Sequence, residues 1–115
     1  MSRIASVSTE EGVTVAGSCV IADGFGSRLL GLMGRKTLDD GAGMLITRTG
    51  SVHTFFMRFA IDVVFLDGSY RVLKVVPALQ PWRAALAFRA KSVLELPAGA
   101  AAATGVRPGS RLVVG

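Results

Sequence analysis

The sequence has a single cysteine, a single histidine and no long apolar run. Cys19 has no partner within the chain, which excludes an internal disulfide and a structural zinc site built on cysteines. No stretch approaches the roughly 18 consecutive apolar residues that a membrane-spanning helix needs. The opening residues lack an apolar block long enough for the core of a signal peptide. We therefore expect a soluble, cytoplasmic protein; a periplasmic or envelope location would require that a precursor segment had been removed.

Acidic residues are scarce relative to basic ones. The chain has thirteen Lys or Arg and eight Asp or Glu, which gives a net charge of +5. Among the basic residues, only Arg35 and Lys36 are adjacent in the sequence. Nucleic-acid binders usually concentrate their cations on one face with aromatic residues between them, so this spacing does not favour nucleic acid. One or two guanidinium groups suffice to bind a carboxylate or a phosphate. A small anion or an acidic segment of a partner therefore suits the pattern better.

Runs of β-branched and other apolar residues, separated by turn residues, dominate the chain. They predict about six strands, at residues 13–22, 44–48, 52–66, 71–76, 92–96 and 111–114. Asp67 and Gly68 predict a tight hairpin turn. Two short helices are expected, one within residues 25–38, where leucines recur at helical spacing, and one over residues 98–105 that ends at Gly105.

This order of elements predicts the fold class, because strands do not alternate regularly with helices. We expect a mostly β, single-domain antiparallel β-sandwich or distorted barrel, jelly-roll-like, with two short helices. The domain would span residues 1–115, a length that suffices to bury one apolar core. Residues 1–12 are expected to form a loosely ordered N-terminal segment.

The segment VHTFFMRFAIDVVFLD, residues 52–67, places charged residues within an apolar ribbon. If residues 53–66 formed one regular strand, both of its faces would be mostly apolar and would be covered by the rest of the protein. Arg58 and Asp62 would then be substantially buried. An unpaired buried charge costs several kcal/mol, so each of them would need a partner.

The partners of these charges can be predicted in part. Four residues of a straight strand span about 13 Å, so Arg58 and Asp62 could pair with each other only across a bulge near Ala60. Otherwise Glu95, in a second apolar strand, is the candidate acid for Arg58 or Arg28. We expect Asp62 and Glu95 each to lie within hydrogen-bonding distance of an arginine or of several backbone amides.

Two interpretations of the buried charges remain open. They either form a structural network of ion pairs and hydrogen bonds, or line a polar pocket whose arginine holds a ligand. The second leads to the functional hypothesis of a small non-enzymatic binding module, which recognises an anionic small ligand or an acidic partner segment through arginines around an aromatic strand. The candidate ligand-binding residues are Arg28, Arg35, His53, Met57, Arg58, Asp62 and Glu95.

Two alternatives have a weaker basis in the sequence. A small hydrolase or transferase would use Asp62, Glu95 or His53, although no recognisable spacing of nucleophile and base is present. A copper site would use His53 and Met57, which share one face of a regular strand, with further soft ligands from Cys19, Met33 and Met44. Methionines in an apolar chain are usually core residues, so no metal or other cofactor is expected.

Several ordered blocks of the sequence are similar to those of a known family. They are SRLLGLMGRKTL at 27–38, GMLI at 43–46, HTFFMRFAIDVVFLD at 53–67, the loop with Pro81 and Trp82, and VLELPAG at 93–99 followed by TGVRPGSRL. Together they resemble the domain-of-unknown-function family numbered one hundred and ninety-two, over about residues 15–114. The resemblance implies a compact, mostly β domain of sandwich or distorted-barrel type, found in bacteria and archaea and often preceded by a signal peptide or lipoprotein anchor. It implies no established activity, and it places Arg35 and Glu95 in shared blocks.

Overall fold

The computed structural model describes residues 3–22 and 38–115. These residues form nine strands and one short helix. In chain order they are β1 (Arg3–Thr9), β2 (Thr14–Ala22), β3 (Ala42–Thr47), β4 (Ser51–His53), β5 (Ile61–Leu66), β6 (Val72–Leu79), β7 (Ala84–Leu86), β8 (Ser92–Pro97), α1 (Ala100–Ala103) and β9 (Leu112–Val114). The predicted mostly β fold class is confirmed. The first predicted helix lies outside the described residues, and α1 is the second.

Seven of these strands form one sheet in the order β6-β5-β8-β3-β2-β1-β9, and β4 pairs with β7 in a small second sheet. Strands β2 and β3 run parallel, whereas the other pairs among the described strands are antiparallel. A parallel pair needs a long crossover connection. The strand, helix and strand predicted at residues 13–22, within 25–38 and at 44–48 suit such a connection, but the expected antiparallel architecture did not include a parallel pair.

The large sheet curls into a half-barrel whose two outer strands meet at one end. Arg71 and Arg111, which directly precede β6 and β9, form an isolated antiparallel bridge. Beside this bridge the amide of Val72 donates to the carbonyl oxygen of Ser110 at 2.7 Å. The expectation of a distorted barrel therefore describes the sheet better than that of a sandwich.

Apolar clusters lie on both faces of the curled sheet. The inner cluster contains residues from both outer strands, such as Val72 and Leu112, so it occupies the concave side. The outer cluster comprises Ala22, Leu38, Met44, Ile46, Met57, Ile61, Val63, Phe65 and Val93, and the small sheet packs against it through partly buried Val52 and Ala85. Because neighbouring residues of a strand point to opposite faces, β5 contributes to both clusters and all six of its residues are buried.

The predicted ribbon of residues 53–66 is not one strand. Strand β4 ends at His53, residues 54–60 turn the chain, and β5 begins at Ile61. The turn contains Phe56 with a φ of 67°, a left-handed conformation that no regular strand contains. Arg58 lies in this turn and is exposed, so its predicted burial is wrong. The buried positions of Asp62 and Glu95, 1% and 3% exposed, agree with the expectation.

Two further expectations need correction. Residues 3–9, expected in a loosely ordered segment, form β1 between β2 and β9, because Val7 and Thr9 are buried there and the backbone bonds both neighbours. The hairpin at Asp67 is present, but the positive φ falls on Tyr70, at 65°, rather than on Gly68. The α1 helix of the described residues is too short to cross a membrane.

Candidate functional site

Asp62 is held at a bulge between β5 and the edge strand β6. The register passes from Ile61↔Leu79 to Val63↔Val76, so two residues of β6 oppose Asp62. Its Oδ1 accepts a hydrogen bond from the amide of Ala78 at 2.9 Å, and its Oδ2 accepts bonds from the amides of Gly99 and Ala101 at 3.0 and 2.9 Å. The expectation of several backbone amides around Asp62 is thus confirmed. The carboxylate ties β6 and the start of α1 to β5.

Glu95 lies on the other face of the sheet. Its neighbours across the strands are Met44 of β3 and Val63 of β5, both in the outer cluster. Within residues 3–22 and 38–115, no hydrogen-bond partner reaches its Oε1, so the expectation of a polar partner fails for this oxygen. Burial without such compensation raises the pKa of Glu95 to about 7.

The residues of the enzymatic alternative do not converge. Asp62 and Glu95 point to opposite faces of the sheet, since Asp62 aligns with Leu96 and Glu95 with Val63. His53 is exposed on the small sheet, and its Nδ1 accepts a hydrogen bond from the amide of Phe55 at 3.3 Å. The arrangement therefore offers neither an acid–base pair nor a nucleophile with a base.

The copper alternative is not supported by the geometry either. Met57 is 5% exposed within the outer cluster, whereas His53 is exposed, and the turn between them removes the shared strand face on which the hypothesis depended. Cys19 lies in the inner cluster, where burial raises the pKa of its thiol to about 11. The described part of the chain has no group of three or more His, Cys, Asp or Glu that could hold a metal ion.

Four aromatic rings form a row on the surface, in the order His53, Phe55, Trp82 and Phe56; we call them the aromatic row. The ring centroids of His53 and Phe55 are 4.7 Å apart, those of Phe55 and Trp82 are 5.7 Å apart, and both pairs are stacked. Phe56 and Trp82 are 4.7 Å apart at an angle of 60°. Phe55, Phe56 and Trp82 are 39%, 61% and 55% exposed, so the row presents a broad apolar surface to solvent.

The buried side chain of Thr54 holds the two segments that carry the row. Its hydroxyl donates to the carbonyl oxygen of Gln80 at 2.6 Å and accepts a hydrogen bond from the amide of Arg83 at 2.9 Å. Its own amide donates to the carbonyl oxygen of Arg83 at 2.8 Å, and its carbonyl oxygen accepts from the amide of Trp82 at 3.0 Å. The turn after β4 and the loop before β7 are therefore joined around one residue.

Two rings of the row lie on strained backbone. Phe56 and Trp82 have φ values of 67° and 62°, in the left-handed region that costs a residue with a side chain about 1–2 kcal/mol. Ala78, in the β6 bulge beside Asp62, has a φ of 48°. Strained residues of this kind persist where the surrounding structure fixes them, and they cluster at functional sites. Phe56 and Trp82 thus combine a strained backbone with an exposed ring.

An open groove of about 540 Å³ adjoins the row at His53. It is lined by Ser51, Val52, His53, Lys74, Ala84, Ala85 and Leu86. The Nζ of Lys74 donates to the carbonyl oxygen of Leu86 at 3.0 Å, which leaves two further N–H groups on this amine. The groove thus combines apolar walls with one cationic group.

The part of the chain that carries this surface is strongly basic. From Gly41 to Gly115 the sequence has nine Arg or Lys and three Asp or Glu. Two of these acids, Asp62 and Glu95, are buried. Arg58 and Arg83, beside the aromatic row in the sequence, are exposed, and a guanidinium nitrogen of Arg83 donates to the carbonyl oxygen of Trp82 at 3.3 Å. Two exposed arginines therefore lie within two residues of a ring of the row in the sequence.

Of the predicted site residues, the structure brings His53 and Arg58 to this surface. Met57, Asp62 and Glu95 are buried, and Arg28 and Arg35 lie outside the described residues. Sequence reasoning missed the exposed rings of Phe55, Phe56 and Trp82, because aromatic residues in an apolar ribbon were expected in the core. Pro81, which directly precedes Trp82, was the available signal, since proline favours a turn.

The fold and the site define a mostly β half-barrel protein with an exposed aromatic row and no assembled catalytic group among the described residues. The chain belongs to the DUF192 family, described as an uncharacterised ACR, whose model matches residues 6–114. The resemblance found in the sequence is thereby confirmed.

Similar proteins agree with this assignment. A UPF0127 protein of Pyrococcus horikoshii is 38% identical over 97 residues, with 81% of this chain and 84% of the relative covered. A UPF0127 protein of Pyrococcus furiosus is 42% identical over 95 residues, with 79% and 81% covered.

Two solved structures share the fold. A protein of unknown function from Novosphingobium aromaticivorans has a TM-score of 0.79 at 23% identity, with 97% of this chain and 84% of that one covered. A putative transcription regulator from Sinorhizobium meliloti has a TM-score of 0.81 at 24% identity, with 99% and 94% covered.

Proposed function

We propose that this protein is a non-enzymatic binding module, and that its ligand-binding surface consists of the aromatic row and the cations beside it. The observation that carries this proposal is the exposure of three large, mutually packed rings, two of them on strained backbone. A contiguous apolar patch on a soluble protein usually marks an interaction site. Exposed aromatic residues beside arginine are also the residues most enriched where proteins bind their partners.

The ligand carries negative charge under this proposal. Arg58 and Arg83 are exposed next to the rings, and the acids of the surrounding chain, apart from Asp67, are buried. A guanidinium group binds a carboxylate or a phosphate through two parallel hydrogen bonds. Rings supply the apolar contact and arginines the charge, which suits an anionic small molecule or an acidic segment of a partner.

Trp82 provides a direct assay, because it is the only tryptophan of the chain and belongs to the row. Benzoate, citrate, adenosine monophosphate and acidic peptides would be titrated against the full chain, with tryptophan emission and melting temperature as readouts. We expect at least one anion to shift the emission to shorter wavelength and to raise the melting temperature by mass action.

Matched variants separate this site from nonspecific binding. Phe55→Ala and Arg83→Gln should weaken binding, whereas Phe88→Ala and Arg107→Gln should not, since Phe88 and Arg107 are exposed but outside the row. Equal losses in both sets, or no response to any anion, would refute the proposal.

The cytoplasmic location stays a prediction, which fractionation of cells that produce the native protein would check.

A further inference from the structure

The proposed binding surface extends over four rings and the groove that adjoins them at His53. The centroid separations along the aromatic row add up to about 15 Å. The groove continues from His53 along β4 and β7, each of three residues, which adds about 10 Å at the usual rise of a strand. Because Phe55 and Phe56 are neighbours in the sequence and both contact Trp82, the ring distances describe a path and not a straight length, and an extended segment of a few residues would cover the rings and the groove. A single small anion would cover only a fraction of this surface.

The packing of the rings distinguishes between kinds of polymer. Proteins that bind single-stranded nucleic acid offer free aromatic faces on which successive bases stack. Here the faces of His53, Phe55 and Trp82 are partly covered by one another, at interplanar angles of 27° and 24°. A base that stacks on the row would therefore find fewer free ring faces than such proteins offer, whereas aliphatic side chains can pack against the exposed rings without intercalating between them.

The charges of the surface indicate the composition of a peptide that would fit it. Lys74 lines the groove, and Arg83 donates a guanidinium N–H to the carbonyl oxygen of Trp82, so cations accompany both the groove and the row; Arg58, two residues after Phe56, is also exposed. The apolar lining of the groove, from Val52, Ala85 and Leu86, has no acidic residue. A matching peptide therefore carries carboxylates with apolar side chains between them.

We propose that the groove and the aromatic row together bind an extended, acidic peptide segment of a partner protein, with apolar side chains seated on the rings and carboxylates on Lys74, Arg58 and Arg83. The inference rests on the proposed function and adds the class of ligand. Recognition of this kind uses side-chain contacts along an extended chain and needs no rearrangement of the half-barrel.

The test is a selection from two displayed decapeptide libraries against the immobilised full chain. Both libraries alternate fixed charged positions with random Leu, Phe, Pro or Val; the charged residue is glutamate in one and lysine in the other. We expect enrichment from the glutamate library only. The enriched peptide, synthesised and titrated by Trp82 emission, should bind about tenfold more weakly to Phe55→Ala and to Lys74→Gln, and equally to Phe88→Ala.

Salt and competitors complete the experiment. Binding should weaken as salt is raised from 50 to about 500 mM, because the charges are exposed. Failure of the glutamate library, or preference for lysine peptides or for oligothymidylate, would overturn the peptide inference. If benzoate or adenosine monophosphate still bound at the row, the proposed function would survive; if they did not, both would fail. Concentration-dependent self-association displaced by the peptide would instead identify a second copy of this chain as the occupant and overturn the inference.

Discussion

The buried carboxyl group of Glu95 should make the stability of this protein depend on pH. Burial raises its pKa from 4.5 to about 7. Because the folded state holds this proton more tightly than the unfolded state, the contribution of Glu95 to the free energy of unfolding is highest below about pH 4.5 and falls as the pH rises toward 7. At 1.36 kcal/mol per pKa unit, the loss amounts to about 3 kcal/mol, and it stays constant above pH 7.

Glu95→Gln replaces the acid by a neutral side chain of nearly the same shape. The free energy of unfolding of the variant and of the wild type would be measured by urea denaturation from pH 4 to 8. The difference, variant minus wild type, should be about 3 kcal/mol larger at pH 8 than at pH 4. The amide adds a constant offset, because it also needs hydrogen-bond partners, so the pH dependence of the difference is the decisive quantity. Glu10→Gln, at an exposed position, should show no such trend. A difference that is flat with pH would show that a cation compensates Glu95 in the folded state.

Three further substitutions test the structure of the site. Asp62→Asn should lower the free energy of unfolding by about 3 kcal/mol, because an amide cannot accept from three backbone N–H groups as a carboxylate does; a loss no greater than that of Asp67→Asn would contradict this. Thr54→Val should cost about 2 kcal/mol and shift the emission of Trp82, since a carbonyl oxygen and an amide lose their partner; unchanged emission would refute its positioning role. Phe56→Gly should be about 1 kcal/mol more stable than Phe56→Ala in the same denaturation assay, because glycine adopts a φ of 67° without strain; equal stability would disprove that strain.

Several of the strands could be predicted because their sequences alternate or run apolar between turn residues, whereas β1 and β7 were missed. The predicted runs at 13–22 and 92–96 differ from β2 and β8 by one residue at one end. The parallel pairing of β2 with β3 was missed, although a helix was predicted between these strands and such a connection is usual for a parallel pair. The rest of the strand order is set by long-range packing and not by local pattern. The half-barrel, formed where Arg71 meets Arg111, also depends on residues far apart in the chain.

The candidate site was predicted only in part, and the reason is local. The apolar run from His53 to Leu66 gives a strand signal throughout, yet the carbonyl oxygen of Thr54 accepts from the amide of Met57 at 3.2 Å and the chain turns. That one turn moved Arg58 from the core to the surface and exposed Phe55 and Phe56. The burial of Asp62 was predictable from its apolar neighbours, but its amide partners at Gly99 and Ala101 were not.

The position of β1 between β2 and β9 has a consequence for how the protein is made. During translation β1 emerges first among the described strands, and β9, its second neighbour, emerges last. Until then one side of β1 offers unpaired backbone groups, which can join a strand of another nascent chain. Expression yield should therefore depend on whether a chaperone shields residues 3–9 before the ribosome releases residue 114.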